Sequence, residues 1–214
     1  MPVNVILVDD HAVMRDGLRY LIEAEPDLKV LASFSDGLEA VRFAAAAHPE
    51  VAVVDIAMPG MNGIEVTRQI HDACPSSQVL ILSMHADLEF IYQALHAGAH
   101  GYLIKESAGG EVVSAIRAVH AGSRYLSRKL DREAIERYVL ERGDDDPLDR
   151  LSPRERQVLQ LTVEGRTSAE TGAILNLSPK SVDTYRSRLM KKLDLDDLPA
   201  LVKFAIRRGI TTDR

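Results

Sequence analysis

Val51-Ala52-Val53-Val54-Asp55-Ile56-Ala57-Met58-Pro59-Gly60-Met61-Asn62-Gly63 is the stretch from which the fold can be read. Four apolar residues run into an aspartate, and a loop with one proline and two glycines follows. A short apolar run bounded by turn residues suits a strand buried on both faces. Asp55 then stands where that strand leaves its sheet. In open α/β sheets, ligands bind at the carboxyl ends of the strands.

The same pattern repeats on either side. Residues 3–8 read as a strand ending at Asp9-Asp10, and residues 28–34 as a second. Residues 78–83 end at Ser83, and residues 101–105 end at Lys105. Helical stretches cover about 11–25, 36–47, 62–73, 87–97 and 107–121. Asp36 with Glu39, and Asn62 with Glu65, have the spacing of helix caps, and Ser107 is placed to cap the fifth helix. Five strands alternating with five helices call for a parallel sheet covered on both faces, with right-handed crossovers. That topology gathers Asp9, Asp10, Asp55, Ser83 and Lys105 at one edge.

Carboxylates gathered at one edge repel each other and call for a cation. Hard oxygen donors suit Mg²⁺, which keeps waters and often binds a phosphoryl oxygen as well. Lys105 can neutralise phosphoryl charge, and the Ser83 hydroxyl can hydrogen-bond a phosphoryl oxygen. Phosphoryl transfer asks chiefly for positioning and charge stabilisation, which this set supplies, with Asp55 as nucleophile. Each residue alone has an ordinary structural explanation; the combination at successive strand ends is much rarer by chance.

The character changes at residue 123. Residues 128–142 are highly charged, with a helical stripe of Leu130, Ala134, Ile135, Tyr138 and Val139, and Gly143-Asp144-Asp145-Asp146-Pro147 follows as an acidic break. This reads as a helical, acidic linker over 123–149. From Leu151 the pattern is all helical. Ser152-Pro153-Arg154-Glu155 and Thr167-Ser168-Ala169-Glu170 are capping boxes, Ser178-Pro179 opens a longer helix through Leu193, and a last helix covers about 199–208. A short helix, a tight turn at Asn176-Leu177 and a longer basic helix fit a helix-turn-helix. Lys180, Asp183, Thr184, Ser187, Arg188 and Lys191 share the polar face of that longer helix, where they could meet phosphates and base edges in a major groove.

The charge is uneven, which suggests two jobs, although on charge alone a chance asymmetry of solvated surface explains it better. The net charge of the 214 residues is -6, with about +4 in 151–214 and about -10 before it. The single cysteine, Cys74, excludes an internal disulfide and a cysteine metal cluster. No apolar run is long enough to span a bilayer, and Met1 to Val8 lacks the basic start of a signal peptide, so no membrane role and a cytoplasmic location are expected.

Residues 1–122 resemble the receiver domain of bacterial two-component response regulators. The features that carry the resemblance are Asp9-Asp10, Asp55 with Met58-Pro59-Gly60 and Gly63, Ser83, and Ala97-Gly98-Ala99-His100-Gly101-Tyr102-Leu103-Ile104-Lys105. The resemblance implies a flavodoxin-like sheet of order 2-1-3-4-5 and a phosphoryl group accepted by Asp55 from a sensor histidine kinase. It implies Mg²⁺ held by Asp10, Asp55 and the main-chain carbonyl of Ala57, with Asp9 acting through water. Ser83 and Tyr102 would be the switch pair. Glu106 departs from the family by standing where many receivers carry proline, Asn62 where aspartate is common, and Ala57 and His85 occupy positions that tune phosphoryl lifetime.

Residues 150–214, through Leu151-Ser152-Pro153-Arg154-Glu155-Arg156-Gln157-Val158-Leu159 and Ser181-Val182-Asp183-Thr184-Tyr185-Arg186-Ser187, are similar to the LuxR-type output domain of NarL/FixJ regulators. This implies major-groove contact by Asp183, Thr184, Ser187 and Arg188, with Lys180, Arg186, Lys191 and Lys192 near phosphates of double-stranded DNA. It implies a homodimer on paired half-sites, formed through Leu201, Val202, Phe204 and Ala205, and RNA polymerase as a candidate partner. Thr171-Gly172 stands where Ile-Ala is usual, and a mid-helix glycine costs roughly 1 kcal/mol relative to alanine. Tyr185 stands where histidine is common. The expected function is a phosphorylation-controlled DNA-binding regulator that catalyses only slow self-phosphorylation and self-dephosphorylation. The rivals are a protein–protein signalling module, a phosphorylation-independent regulator and a phosphohydrolase. The last is disfavoured because Ala57 stands two residues after Asp55, where a second carboxylate would be needed.

Overall fold

Val51–Asp55 forms a strand in which every residue is buried. In this computed structural model, which describes residues 1–143 and 146–211, that strand lies within a wholly parallel sheet. Its strands are β1 (Val3–Val8), β2 (Leu28–Phe34), β3 (Val51–Asp55), β4 (Gln78–Ser83), β5 (Gly101–Ile104) and β6 (Tyr125–Leu126), in the order β2-β1-β3-β4-β5-β6. The expected order of five is present, with a two-residue sixth strand added at the β5 edge. The chain divides into two compact units, Met1–Glu141 and Arg142–Arg214.

The sheet of the first unit has apolar residues on both faces because its side chains alternate. Ile6, Val8, Ala52, Val54, Val79, Ile81, Tyr102 and Ile104 point into one core, with α2 (Gly37–Ala47), α3 (Gly63–Ala73) and α4 (Leu88–His96). Val5, Leu7, Val51, Val53, Leu80, Leu82 and Leu103 point into the other, with α1 (Ala12–Glu23) and α5 (Ala108–His120). Full burial of each Val, Leu or Ile side chain among them stabilises by roughly 1.5–3 kcal/mol, so a one-residue slip of any central strand is strongly disfavoured. Helix starts follow their caps: the Asp36 and Asn62 side chains accept from the Glu39 and Glu65 amides at 2.9 Å each. Ser107 does not cap. It lies in a 3₁₀ turn at φ -95°, ψ -6°, not in the extended conformation a cap requires, and its side chain makes no cap bond. Gly63 is needed for closeness: a Cβ there would lie 2.1 Å from the Asp55 carbonyl oxygen, so α3 starts directly against the end of β3.

The expected linker is shorter than the sequence suggests. Residues 125–141 belong to the first unit. Glu111, buried on α5, accepts from the Tyr125 hydroxyl at 2.7 Å, the Ser127 hydroxyl at 3.2 Å and the Arg128 amide at 3.1 Å, which fixes β6 beside β5. α6 (Arg132–Arg142) then returns Ile135, 3% exposed, to the core that contains α4. The charge of this segment hid three buried residues, Leu126, Ser127 and Ile135, and the acceptor that holds its start lies outside it, on α5. Asp144 and Asp145 of the acidic break lie outside the described residues, and Asp146 caps a 3₁₀ turn at Pro147–Arg150 in the second unit.

The second unit contains α7 (Pro153–Val163), α8 (Ser168–Leu175), α9 (Pro179–Leu193) and α10 (Leu198–Arg207) around Val158, Leu159, Val182, Leu189, Leu201 and Ala205. Both capping boxes are complete. The α8–α9 turn is made by Asn176 in the left-handed region at φ 54°, and the Leu177 amide donates to the Gly172 carbonyl at 2.8 Å. Gly172 is required by this turn. A Cβ there would meet the Leu177 carbonyl oxygen at 2.6 Å, so the helix-propensity cost could not be recovered by alanine without moving the turn. Tyr185, partly buried, packs against the core of this unit.

Candidate functional site

The ends of β1, β3 and β5 converge in the first unit. Lys105 Nζ lies 2.9 Å from Asp9 Oδ2 and 2.9 Å from Asp55 Oδ2, and all three side chains are buried. Burial pushes the Asp55 carboxyl above its ordinary range; Lys105 opposes this, and neighbouring Asp9 adds to it. Burial works against the Lys105 ammonium as well, but its bonds to Asp55 and Asp9 hold its pKa above the usual value. The pocket is thus an ion cluster with fewer cations than carboxylates. Half-buried Asp10 stands beside it, and the Ala57 amide donates to the Asp55 carboxylate.

His11 was not anticipated. Its Nδ1 lies 2.8 Å from Asp10 Oδ1 and 3.2 Å from Asp9 Oδ1. One donor atom from each of Asp9, Asp10, His11 and Asp55 falls within 4.8 Å of the others, so the group could hold a metal ion. The donor set fits a hard divalent cation, since three of the four ligands are carboxylates. Its adjacency to Asp9-Asp10 was the signal in the sequence that could have found it.

Ser83 and Tyr102 flank the pocket on the α4 side. Both are buried. The Ser83 hydroxyl accepts from the His85 amide at 3.0 Å, and the Tyr102 hydroxyl donates to the His85 carbonyl at 2.9 Å. Burial pushes the Tyr102 phenol well above its ordinary pKa, so it remains a donor. The two groups therefore hold one residue of the β4–α4 loop from both sides. His85 also stacks on Phe90, with ring centroids 4.3 Å apart.

In the second unit, α9 exposes Lys180, Asp183, Thr184, Ser187, Arg188, Lys191 and Lys192, while Arg186 is partly buried. They are not equivalent. Among the described residues, Lys180, Arg188 and Lys191 make no ion pair. Asp183 is engaged: it accepts from Ser168 Oγ at 2.7 Å and from Arg186 at 2.8 Å. Thr184 returns its hydroxyl to the Lys180 carbonyl at 2.9 Å. Lys192 is 2.7 Å from Glu155 Oε2, a carboxylate only 4% exposed that also accepts from the Ser152 amide. The sequence marks Glu155 as a cap residue; that it also binds a lysine from α9 was not legible there.

The expected dimer residues need correction. Leu201, Phe204 and Ala205 are buried in the core of their own unit, so they cannot also face a second copy. Helical periodicity directs that face inward. The other face of α10 carries exposed Leu198 and partly exposed Val202 and Ile206.

Two family models match the chain. The response regulator receiver domain matches residues 5–117, and the bacterial regulatory proteins of the luxR family match residues 149–205. The chain is 35% identical to the response regulator UvrY of Escherichia coli K12, over 97% of this chain and 95% of that protein. It is 35% identical to the transcriptional regulatory protein LiaR of Bacillus subtilis strain 168, over 97% and 99%. A solved structure of RcsB from Salmonella enterica serovar Typhimurium, bound to promoter DNA in the presence of the phosphomimetic BeF3⁻, is similar with TM-score 0.57 and 26% identity, over 97% of this chain and 99% of that one.

Proposed function

The chain belongs to the NarL/FixJ family of two-component response regulators, a receiver followed by a LuxR-type DNA-binding domain, and from that premise we propose that Asp55 is the phosphoacceptor that switches it. The observation that carries this is Lys105 Nζ, held 2.9 Å from both Asp9 and Asp55 in a buried acidic cluster. An Asp55 oxygen attacks the phosphorus of a sensor kinase phosphohistidine. The P–O bond forms as the P–N bond breaks, and the departing imidazole nitrogen takes up a proton. Lys105 neutralises the new phosphoryl oxygens, and the Ser83 hydroxyl donates to one of them. Mg²⁺ would be held by Asp10, Asp55 and the Ala57 carbonyl, with Asp9 through water and His11 alongside, and it supplies charge neutralisation for the phosphoryl group. With Ala57 two residues beyond Asp55, no second carboxylate serves as general acid, so self-phosphorylation and self-dephosphorylation are slow.

The output is transcription control through DNA. Lys180, Arg188 and Lys191 meet phosphates, and Thr184 and Ser187 face base edges in the major groove. Asp183 and Arg186 position each other, and Lys192 holds α9 on α7. The homodimer on paired half-sites uses the Leu198, Val202 and Ile206 face of α10. No helix among the described residues is long and apolar enough to cross a membrane, and a cytoplasmic location suits a regulator that meets both a kinase and DNA; RNA polymerase is a further candidate partner.

The test is intact-protein mass after incubation with a small acyl phosphate and Mg²⁺. A single phosphoryl adduct is expected, absent without Mg²⁺ and absent in Asp55→Asn. An adduct that persists in Asp55→Asn would sink the assignment.

A further inference from the structure

The segment after α5 has a fixed part and a lightly held part. The fixed part is β6, with Glu111 accepting from Tyr125, Ser127 and Arg128. The lightly held part is α6, in which Ile135 is the one buried residue of 11. Ile135 enters the core shared by Phe90, Ile91 and Ala94 of α4, with Leu130 and Val139 packed against it. The Tyr138 hydroxyl donates to Glu89 Oε2 at 2.7 Å, and its ring meets Tyr92 edge-on at 6.1 Å between centroids. Just before α6, Lys129 pairs with Glu106 at 2.9 Å.

Both polar anchors adjoin groups that a phosphoryl group would draw in. Glu106 follows Lys105 directly. Glu89 lies in the first turn of α4, which begins after the His85 loop held by Ser83 and Tyr102. The docked position of α6 therefore matches a pocket in which Lys105 rests on Asp9 and Asp55 and the Ser83 hydroxyl rests on the His85 amide.

We propose that α6 is a latch that grips α4 in the unphosphorylated receiver and lets go when a phosphoryl group on Asp55 draws Lys105 and Ser83 towards itself. This rests on the reading of Asp55 as phosphoacceptor. The exposed Lys129–Glu106 pair contributes little by itself; Ile135 and Tyr138 supply the grip and Glu89 transmits the change. β6 stays in place because Glu111 holds it by three separate donors, so the hinge lies between Arg128 and Arg132. α6 leads directly into the second unit, which makes its release a change in the attachment of the DNA-binding domain. Coupling of this kind is reciprocal: what weakens docking of α6 must favour occupation of the pocket by the same factor.

The experiment is hydrogen exchange of the full chain with Mg²⁺ alone and with Mg²⁺ plus BeF3⁻. Peptides within 132–142 are expected to exchange at least about fivefold faster with BeF3⁻, the lower end of ordinary coupling. Peptides from β6 and around Glu111 should be unchanged, and Asp55→Asn should show no response. Tyr138→Phe and Ile135→Ala, measured separately so that one folding failure is not decisive, should each tighten BeF3⁻ binding several-fold. If peptides around Asp55 slow on BeF3⁻ binding while α6 exchange is unchanged or slower, the latch is wrong and the pocket stands. If no peptide responds and acyl phosphate leaves no adduct, the reading of Asp55 fails and the latch falls with it.

Discussion

The acidic pocket and the basic face of α9 use charge in opposite ways. In the pocket, Asp9, Asp55 and Lys105 are buried, each held by its own strand end, and Lys105 cannot be lost without leaving both carboxylates uncompensated. On α9, Lys180, Arg188 and Lys191 are exposed along one helix without an ion-pair partner among the described residues. Buried charges are coupled, and exposed ones act nearly independently. A pocket built this way can hold two states; a face built the other way gives graded attraction to a polyanion.

The largest expected effect is on the coupled side. Lys105→Met leaves Asp9 and Asp55 facing each other without a cation, and breaking a buried pair in this way destabilises by about 3–5 kcal/mol. Urea unfolding of the metal-free protein at neutral pH should show it, with part of the loss restored by Mg²⁺. A near-neutral result would mean that the pocket is far more hydrated than its burial indicates.

Two adjacent lysines sharpen the contrast. Lys192→Met leaves the buried Glu155 carboxylate without its ammonium, a loss of roughly 1–3 kcal/mol. Lys191→Met should stay within about 0.5 kcal/mol. Equal thermal shifts for the two would erase the distinction between engaged and free cations on α9.

Asp55→Asn should act in the opposite sense to Lys105→Met. Burial raises the Asp55 pKa in the folded chain, so the stability it contributes is present below the ordinary carboxylate value of 3.8 and is lost as pH rises through the raised value. The metal-free variant should therefore melt above the wild type at neutral pH, and the gap should close as pH falls. A lower melting temperature at neutral pH would show that the Lys105 contact outweighs the burial cost.

The smallest effect on stability belongs to the exposed face. Arg188→Ala and Lys191→Met should leave the melting temperature almost unchanged while each lowers the slope of log affinity against log salt for duplex DNA by about 1. Lys192→Met should leave that slope alone, since Lys192 is already paired. A fall in slope for Lys192→Met would move it into the phosphate-contacting set.

Much of this was legible along the chain. The apolar runs before Asp55 and Asp9, and the caps at Asp36, Asn62, Ser152 and Thr167, are signals written within a few residues of one another. Ser107 failed as a cap because the chain leaves β5 through a 3₁₀ turn, which a one-letter match does not reveal. The resemblance implies Leu201, Phe204 and Ala205 as part of a dimer surface, and the apolar pattern of the helix could not correct this, because it looks the same whether it faces its own core or a partner.

The sequence by itself determined the alternation of strands and helices, the parallel sheet, the helix-turn-helix and the residues gathered at the strand ends, because periodicity and capping are local. Tertiary structure alone decided which of those residues are engaged. Lys105 reaches Asp9 across 96 positions, Lys192 reaches Glu155 across 37, and Tyr138 reaches Glu89 across 49. The same distance in sequence hid the sixth strand and the docked α6, since the acceptor that fixes β6 lies on α5 and the core that receives Ile135 is built by α4. A charged side chain carries no local mark of whether it will face water or an opposite charge, and only the folding of distant segments against one another settles which.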